Sequence, residues 1–264
     1  MTRKLLGWGL FGLVVVLVLI GPELASHSPT EPVARPYSPP GTGGVFGTDR
    51  LGRDVASRML HGGRPLLLTS LVAATAGSVL GALAGIFTAL AAPRHRWVEA
   101  VVLRPLDTLA AVPPILMLLL VLTALPGRAG LVLAVALAGL PLSARVARAA
   151  AEQVAGRAHV EAAVARGEGW GWLIGREVLP LVAGTLLADL GLRFVIAFYL
   201  VAAAGFLGLS TSSADWGLLV VEALPGAALQ PWALIVPVLG IAAIAVSVNL
   251  TSDAVSRRAR GLVA

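Results

Sequence analysis

The chain has 264 residues, 57% of them hydrophobic and only 13% charged, with a mean hydropathy of +0.87 and a formal net charge of +6. So little polar surface cannot cover a soluble globule of this length, and the composition predicts an integral membrane protein. Cysteine is absent, which excludes disulfides and thiolate metal sites, and the basic residues are scattered along loops without a stacking aromatic set, which argues against a nucleic-acid partner.

Crossing the bilayer takes about 20 helical residues. On that basis six transmembrane helices are expected at 5–25, 66–91, 99–124, 129–148, 181–204 and 231–251. Six spans put both termini on one side. The excess of Arg and Lys near Arg94, Arg145, Arg148, Arg157, Arg166, Arg176 and Arg257 makes that side the cytoplasm, an N-in and C-in topology. Arg3-Lys4 before an apolar run resembles a signal peptide, but no A-x-A-like site follows, so the run is expected to stay as an anchor.

After the first span, 26–44 is proline-rich and reads as an extended external connector. The stretch FGTDRLGRDVASRMLHGGR predicts a short amphipathic helix capped by Thr48 or Asp49, ended by Gly62-Gly63 and lying on the membrane surface. In the second span Gly77, Gly81 and Gly85 recur on one face and predict close approach of another helix.

The third span carries Arg104 and Asp107, which can pair with each other, and Pro113-Pro114 is expected to break or kink it near its middle. In the fifth span Asp189 and Arg193 stand one turn apart. Because charge inside a membrane marks either a pair or a pathway, both readings stay open for these four residues. A secondary, ion-coupled transporter using Asp107, Asp189 and Arg193 is the alternative this leaves. The histidines are dispersed, no metal-binding or Ser-His arrangement is visible, and no GxxxxGK[ST] loop is present, so no enzyme chemistry and no ATP site is expected in this chain.

The segment 149–180 lies between two apolar spans and is alanine-rich, with strong helix propensity. Ala155, Ala158, Ala162, Ala163 and Ala165 would let its backbone lie close against another protein, Gly167 and Gly169 permit a sharp turn, and Leu179-Pro180 is expected to begin the next span. A helix-turn-helix tab fused at both ends to membrane helices would move those helices when pushed.

Glu161-Ala162-Ala163, then Gly167, then Leu179-Pro180 resembles the EAA loop of bacterial ABC importer permeases. GTDRLGRDVASRMLHGGR, RPLDTLAAVPPILM, GFLGLSTSSADWG and the last apolar stretch, with Asn249 and Asp253, are similar to segments of one subfamily, the inner-membrane permeases of dipeptide, oligopeptide and nickel importers. Ser210 and Glu177 depart from that pattern, which commonly has glycine and histidine there.

The resemblance implies an all-α membrane protein of type I ABC importer permease (MetI-like) architecture. Its expected divisions are a first helix at 1–25, a connector with the amphipathic helix at 26–64, a permease domain at 65–255 containing the coupling loop 149–180, and a tail at 256–264. It implies that Glu161, Ala162, Ala163, Gly167, Leu179 and Pro180 meet an ATPase, and that Asp49, Gly52, Arg53, Asp54, Trp216 and Gly217 belong to the outer vestibule. The implied partners are a second homologous permease, two cytoplasmic ATPases that hold ATP and Mg, and an extracytoplasmic binding protein, all at the bacterial cytoplasmic membrane. No cofactor is expected in this chain. Cargo ranges over short peptides, nickel or metal chelates, haem and glutathione, and no residue chooses among them.

Overall fold

A computed structural model describes residues 12, 15–92 and 95–261, with the side chains of 96 and 248–261 outside the description. Residues 1–11, 13 and 14 of the expected N-terminal helix, Arg94, the side chains of Asn249 and Asp253 and the end of the tail therefore lie outside the described residues. The described elements are α1 (Val15–Leu24), α2 (Val55–Ala91), α3 (Arg96–Ala110), α4 (Pro114–Ala124), α5 (Arg128–Ala155), α6 (Ala158–Ala165), α7 (Trp170–Trp172), a π-helical turn (Leu173–Val178), α8 (Leu179–Phe206), α9 (Trp216–Ala223) and α10 (Pro231–Gly261). Outside the helices, two isolated bridges, Pro32 with Arg53 and Thr48 with Asp54, fold the connector back on itself.

The bundle is built around α2 and α5. Gly77, Gly81 and Gly85 face α5 as expected: a Cβ at Gly77 would stand 2.6 Å from the Ala136 carbonyl, and one at Gly81 would stand 2.5 Å from that of Leu140. Only hydrogen in place of a side chain lets the two backbones approach this closely, and the packing gained replaces the hydrophobic drive that lipid does not supply. α8 closes the bundle through Val195, Phe198, Val201 and Ala202, which share one apolar core with Leu66, Leu118, Leu131 and Val135.

Two expectations need correction, the amphipathic helix and the start of the fifth span, while the break expected in the third span is observed. The amphipathic helix at 47–64 does not exist as a separate surface element. Asp54, not Thr48 or Asp49, is the N-cap, accepting from the backbone N–H groups of Ala56 and Ser57, and the helix runs unbroken from Val55 through Gly62-Gly63 to Ala91. Those glycines serve packing, because a Cβ at Gly63 would stand 2.7 Å from the Trp216 indole.

The break expected at Pro113-Pro114 is present. α3 and α4 meet at 99°, because Pro113 and Pro114 cannot continue the α3 hydrogen-bond ladder and Pro114 starts a new helix. The start of the fifth span also lies earlier, since α7, the π turn and α8 form one helical run from Trp170 to Phe206. Pro180 has no N–H to donate, and the π turn ahead of it, closed by Leu179 N–H to the Ile174 carbonyl, absorbs that break.

Among the described residues three helices are long and apolar enough to span, and the bent pair makes up to four. Val15–Leu24 and Pro231–Ser247 are shorter apolar helices, so the count of six is not reached on the described residues.

Candidate functional site

α2 is 37 residues long, about 55 Å of helix, and the predicted functional residues gather at its two ends and its middle.

At the Val55 end lies a buried charge cluster. The Asp49 carboxylate accepts from the backbone N–H groups of Leu51 (2.8 Å) and Arg53 (3.0 Å), and Gly52, at φ +76°, makes the tight turn between them. Its other oxygen receives Arg53 Nε at 2.7 Å and Arg58 Nη1 at 2.6 Å. Glu222 of α9 receives Arg58 at 2.8 Å, Arg53 at 2.9 Å and Arg50 at 3.0 Å, and Arg58 also donates to the Ser213 carbonyl.

Burial alone would raise the Asp49 carboxyl, but the N–H groups of Arg53 and Leu51 and the charges of Arg58 and Arg53 outweigh it and hold its pKa below the ordinary value. Glu222 is held down in the same way, against burial, by the hydrogen bond and charge of Arg58 and by Arg50 and Arg53. Trp216 Nε1 donates to the Met59 carbonyl at 2.8 Å, and Gly217 lets the start of α9 lie against the Ala202 carbonyl. Asp215 caps α9 by accepting from Gly217 N–H at 2.9 Å, and burial pushes its carboxyl up to about 6.

The residues expected in an outer vestibule are thus brought together. Arg58 and Glu222, which complete the cluster, were not among the predicted site residues. Their signal was a fully charged residue one helical turn inside a span and a lone acid in an apolar helix.

In the middle of the bundle Asp189 and Arg193 form the expected pair. Arg193 Nε and Nη2 reach Asp189 Oδ1 at 3.1 and 3.0 Å, and Ser143 of α5 donates to the other oxygen at 2.6 Å. Both residues are buried, and together with Ser143 they tie α8 to α5. A cavity of about 260 Å³ beside them is lined by Ser143, Asp189, Leu179 and Leu186.

Arg104 and Asp107, in contrast, do not pair with each other. Asp107 is taken by Arg145 of α5 at 2.6 Å, and Arg148 of α5 holds Glu99 at 2.9 Å and Glu152 at 2.6 Å. The pairing shifts because α5 lies beside α3 and offers arginines across the gap, whereas Arg104 and Asp107 are neighbours only along their own helix. These residues border a cleft of about 960 Å³ between α3 and α5.

At the Ala91 end α6 packs against the bundle. Val160 and Ala163 are buried among Ile86, Leu90, Ala151, Val178 and Val182 of α2, α5, the π turn and α8. Glu161 and Ala162 are exposed. Ala163 therefore corrects its expectation: its small side chain permits close packing on its own bundle, not on another protein.

The helix ends in a Schellman motif. Gly167 N–H bonds the Val164 carbonyl at 3.0 Å, Glu168 N–H bonds that of Ala163 at 3.2 Å, and Gly167 stands at φ +77°. Nothing lies within 4 Å of a Cβ built there, so the turn demands glycine for its conformation and not for space. Beyond it Trp170 packs edge-on against Phe87 of α2 at 5.2 Å, and Arg176 lies 4.4 Å over the Trp172 ring, fastening the run into α8.

With this geometry in view, residues 77–261 match the family described as the binding-protein-dependent transport system inner membrane component. The chain belongs to this family. It is a multi-pass inner-membrane transport subunit.

The di/tripeptide transport system permease protein DppC of Pseudomonas aeruginosa is 32% identical over 268 residues, covering 96% of this chain and 86% of its own length. A Brucella suis biovar 1 protein, provisionally named as a peptide transport system permease protein, is 31% identical over 252 residues, covering 94% of this chain and 84% of its own. Among solved structures, an inward-facing MetNI methionine ABC transporter chain superposes with a TM-score of 0.59 at 16% identity, over 76% of this chain and 95% of that one, which establishes the MetI-like fold. The ion-coupled alternative finds no support in these relatives, and Asp107, Asp189 and Arg193 each have an ionic partner.

Proposed function

We propose that the chain forms half of the translocation path of an ATP-driven importer of short peptides, with a second permease completing the path. Two cytoplasmic ATPases holding ATP and Mg dock on α6, and this chain binds no cofactor itself. The observation that carries the docking is the two-sided seat of α6. Val160 and Ala163 root it in the core, while Glu161 and Ala162 stay exposed for a partner.

From α6 the chain passes through the Gly167 turn and a continuous helical run into α8, whose Asp189–Arg193 pair is bonded to α5. A displacement of α6 is thereby handed to two core helices. ATP drives the outward state only if it binds that state preferentially, and α6 is where that difference in free energy enters this subunit. Peptide cargo is supported by the names of the relatives.

The test is reconstitution with the partner subunits and binding protein in proteoliposomes. ATP-dependent uptake of a dipeptide is expected, and Glu161→Ala should lower cargo-stimulated hydrolysis while insertion survives. Uptake that proceeds without ATPase subunits would overturn the proposal.

A further inference from the structure

The α3–α5 cleft holds three arginines and three carboxylates, yet its charges do not match one to one. Asp107 satisfies Arg145. Glu99 and Glu152 both converge on Arg148, leaving that group one negative charge in excess. Among the described residues the Arg104 guanidinium has no carboxylate partner, although it borders the same cleft. The cleft is neutral as a whole and dipolar within, positive at Arg104 and negative at Glu99 and Glu152. Arg104 is exposed, so its guanidinium is open to an anion entering the cleft.

We propose that this cleft is an inner way-station for zwitterionic dipeptides and tripeptides, with Arg104 receiving the terminal carboxylate and the Glu99–Arg148–Glu152 group receiving the α-ammonium. The proposal rests on the peptide reading above. Length agrees: Glu99 and Arg104 are offset by about 7.5 Å of helical rise, and two to three extended residues span about 7–11 Å. Volume agrees as well, since about 960 Å³ admits a tripeptide with water. The remaining wall includes Ala92, Ala100 and Ala149, whose small side chains leave room for varied peptide side chains without reading them. Exposed charge pairs bind weakly, which suits a station that must release its cargo.

The test uses the complete importer in nanodiscs, nucleotide-free and without binding protein, titrated calorimetrically with alanyl-alanine, its C-terminal amide and its N-acetyl form. The free dipeptide should bind about threefold to tenfold tighter than either capped form. Arg104→Gln should erase the penalty of amidation and keep that of acetylation, Glu99→Gln should do the reverse, and Arg104→Lys should retain part of the carboxylate preference. If Arg104→Gln fails to assemble, the wild-type ligand series decides alone.

Equal binding of free and capped dipeptides overturns the proposal. So does a phospholipid that co-purifies with wild type and is lost in Arg104→Gln, because a head-group phosphate would then be the resident anion. Absence of saturable binding in a complex that still imports dipeptide with its binding protein removes the way-station and leaves peptide conduction standing. Failure to import dipeptide at all removes the underlying reading.

Discussion

At the Val55 end of α2, Asp49, Arg53 and Arg58 are buried, Glu222 is half-buried, and the four are matched by short, multiply bonded ion pairs that join the connector, α2 and α9. At the Ala91 end, α6 is rooted by Val160 and Ala163 with Val164 packed beside them, and Glu161 faces outward. One end spends its charge on holding itself together, and the other leaves its charge available. A network of buried ion pairs resists displacement because each partner left behind would be an unpaired charge. A helix seated on apolar side chains can shift against its seat without breaking any ion pair. The outer end is suited to a fixed frame and the inner end to a moving contact.

The sharpest way to break the contrast is Arg58→Met. It leaves buried Asp49 and half-buried Glu222 with one counter-charge fewer, and the expected loss is about 3–5 kcal/mol, read as a collapse of assembled yield and melting temperature. Arg193→Met should cost a little less, about 2–4 kcal/mol, because Ser143 still bonds Asp189. The double change Asp189→Asn with Arg193→Met should recover part of that loss in the same assay. If each single change leaves yield intact and abolishes uptake, the pair belongs to the path and not to the frame.

Gly167→Ala acts at the other end and meets no neighbour, so only the left-handed backbone is penalised, about 1 kcal/mol. Uptake should fall with melting temperature nearly unchanged.

The smallest effect concerns pH. The Asp215 carboxyl is raised to about 6, so its ionisation costs stability above that pH, and the cost is relieved as pH falls through 6 toward the ordinary value of 3.8. Asp49 and Glu222 are depressed, so their contribution is complete above their ordinary values of 3.8 and 4.5 and is lost as pH falls below them. Melting temperature should rise slightly from pH 7.5 to pH 5.5 and drop below about pH 4. Asp215→Asn, still able to cap α9, should flatten the first slope and keep the second.

Much of this was legible in the sequence because it depends on local spacing. The four-residue recurrence of Gly77, Gly81 and Gly85, the one-turn spacing of Asp189 and Arg193, the break at Pro113-Pro114 and the turn at Gly167 are all properties of a few neighbouring residues. What was not legible depends on who sits across the gap. Gly62-Gly63 looked like a helix stop because Trp216, more than 150 positions away, could not be placed against it. Asp107 looked like the partner of Arg104 until α5 brought Arg145 closer. Ala163 and Ala162 are adjacent and identical in type, and only the seat of α6 tells which faces the core.

That adjacency gives the most direct measurement. The chain has no native cysteine, so Ala162→Cys and Ala163→Cys can each carry a thiol-linked benzophenone in the assembled importer. Irradiation at position 162 should capture an ATPase subunit, with a yield that changes between nucleotide-free and ATP-bound states. At position 163 it should capture only this chain or nothing. Capture of the ATPase from 163 and not from 162, or from neither, would contradict the placement of the moving contact on the exposed face of α6.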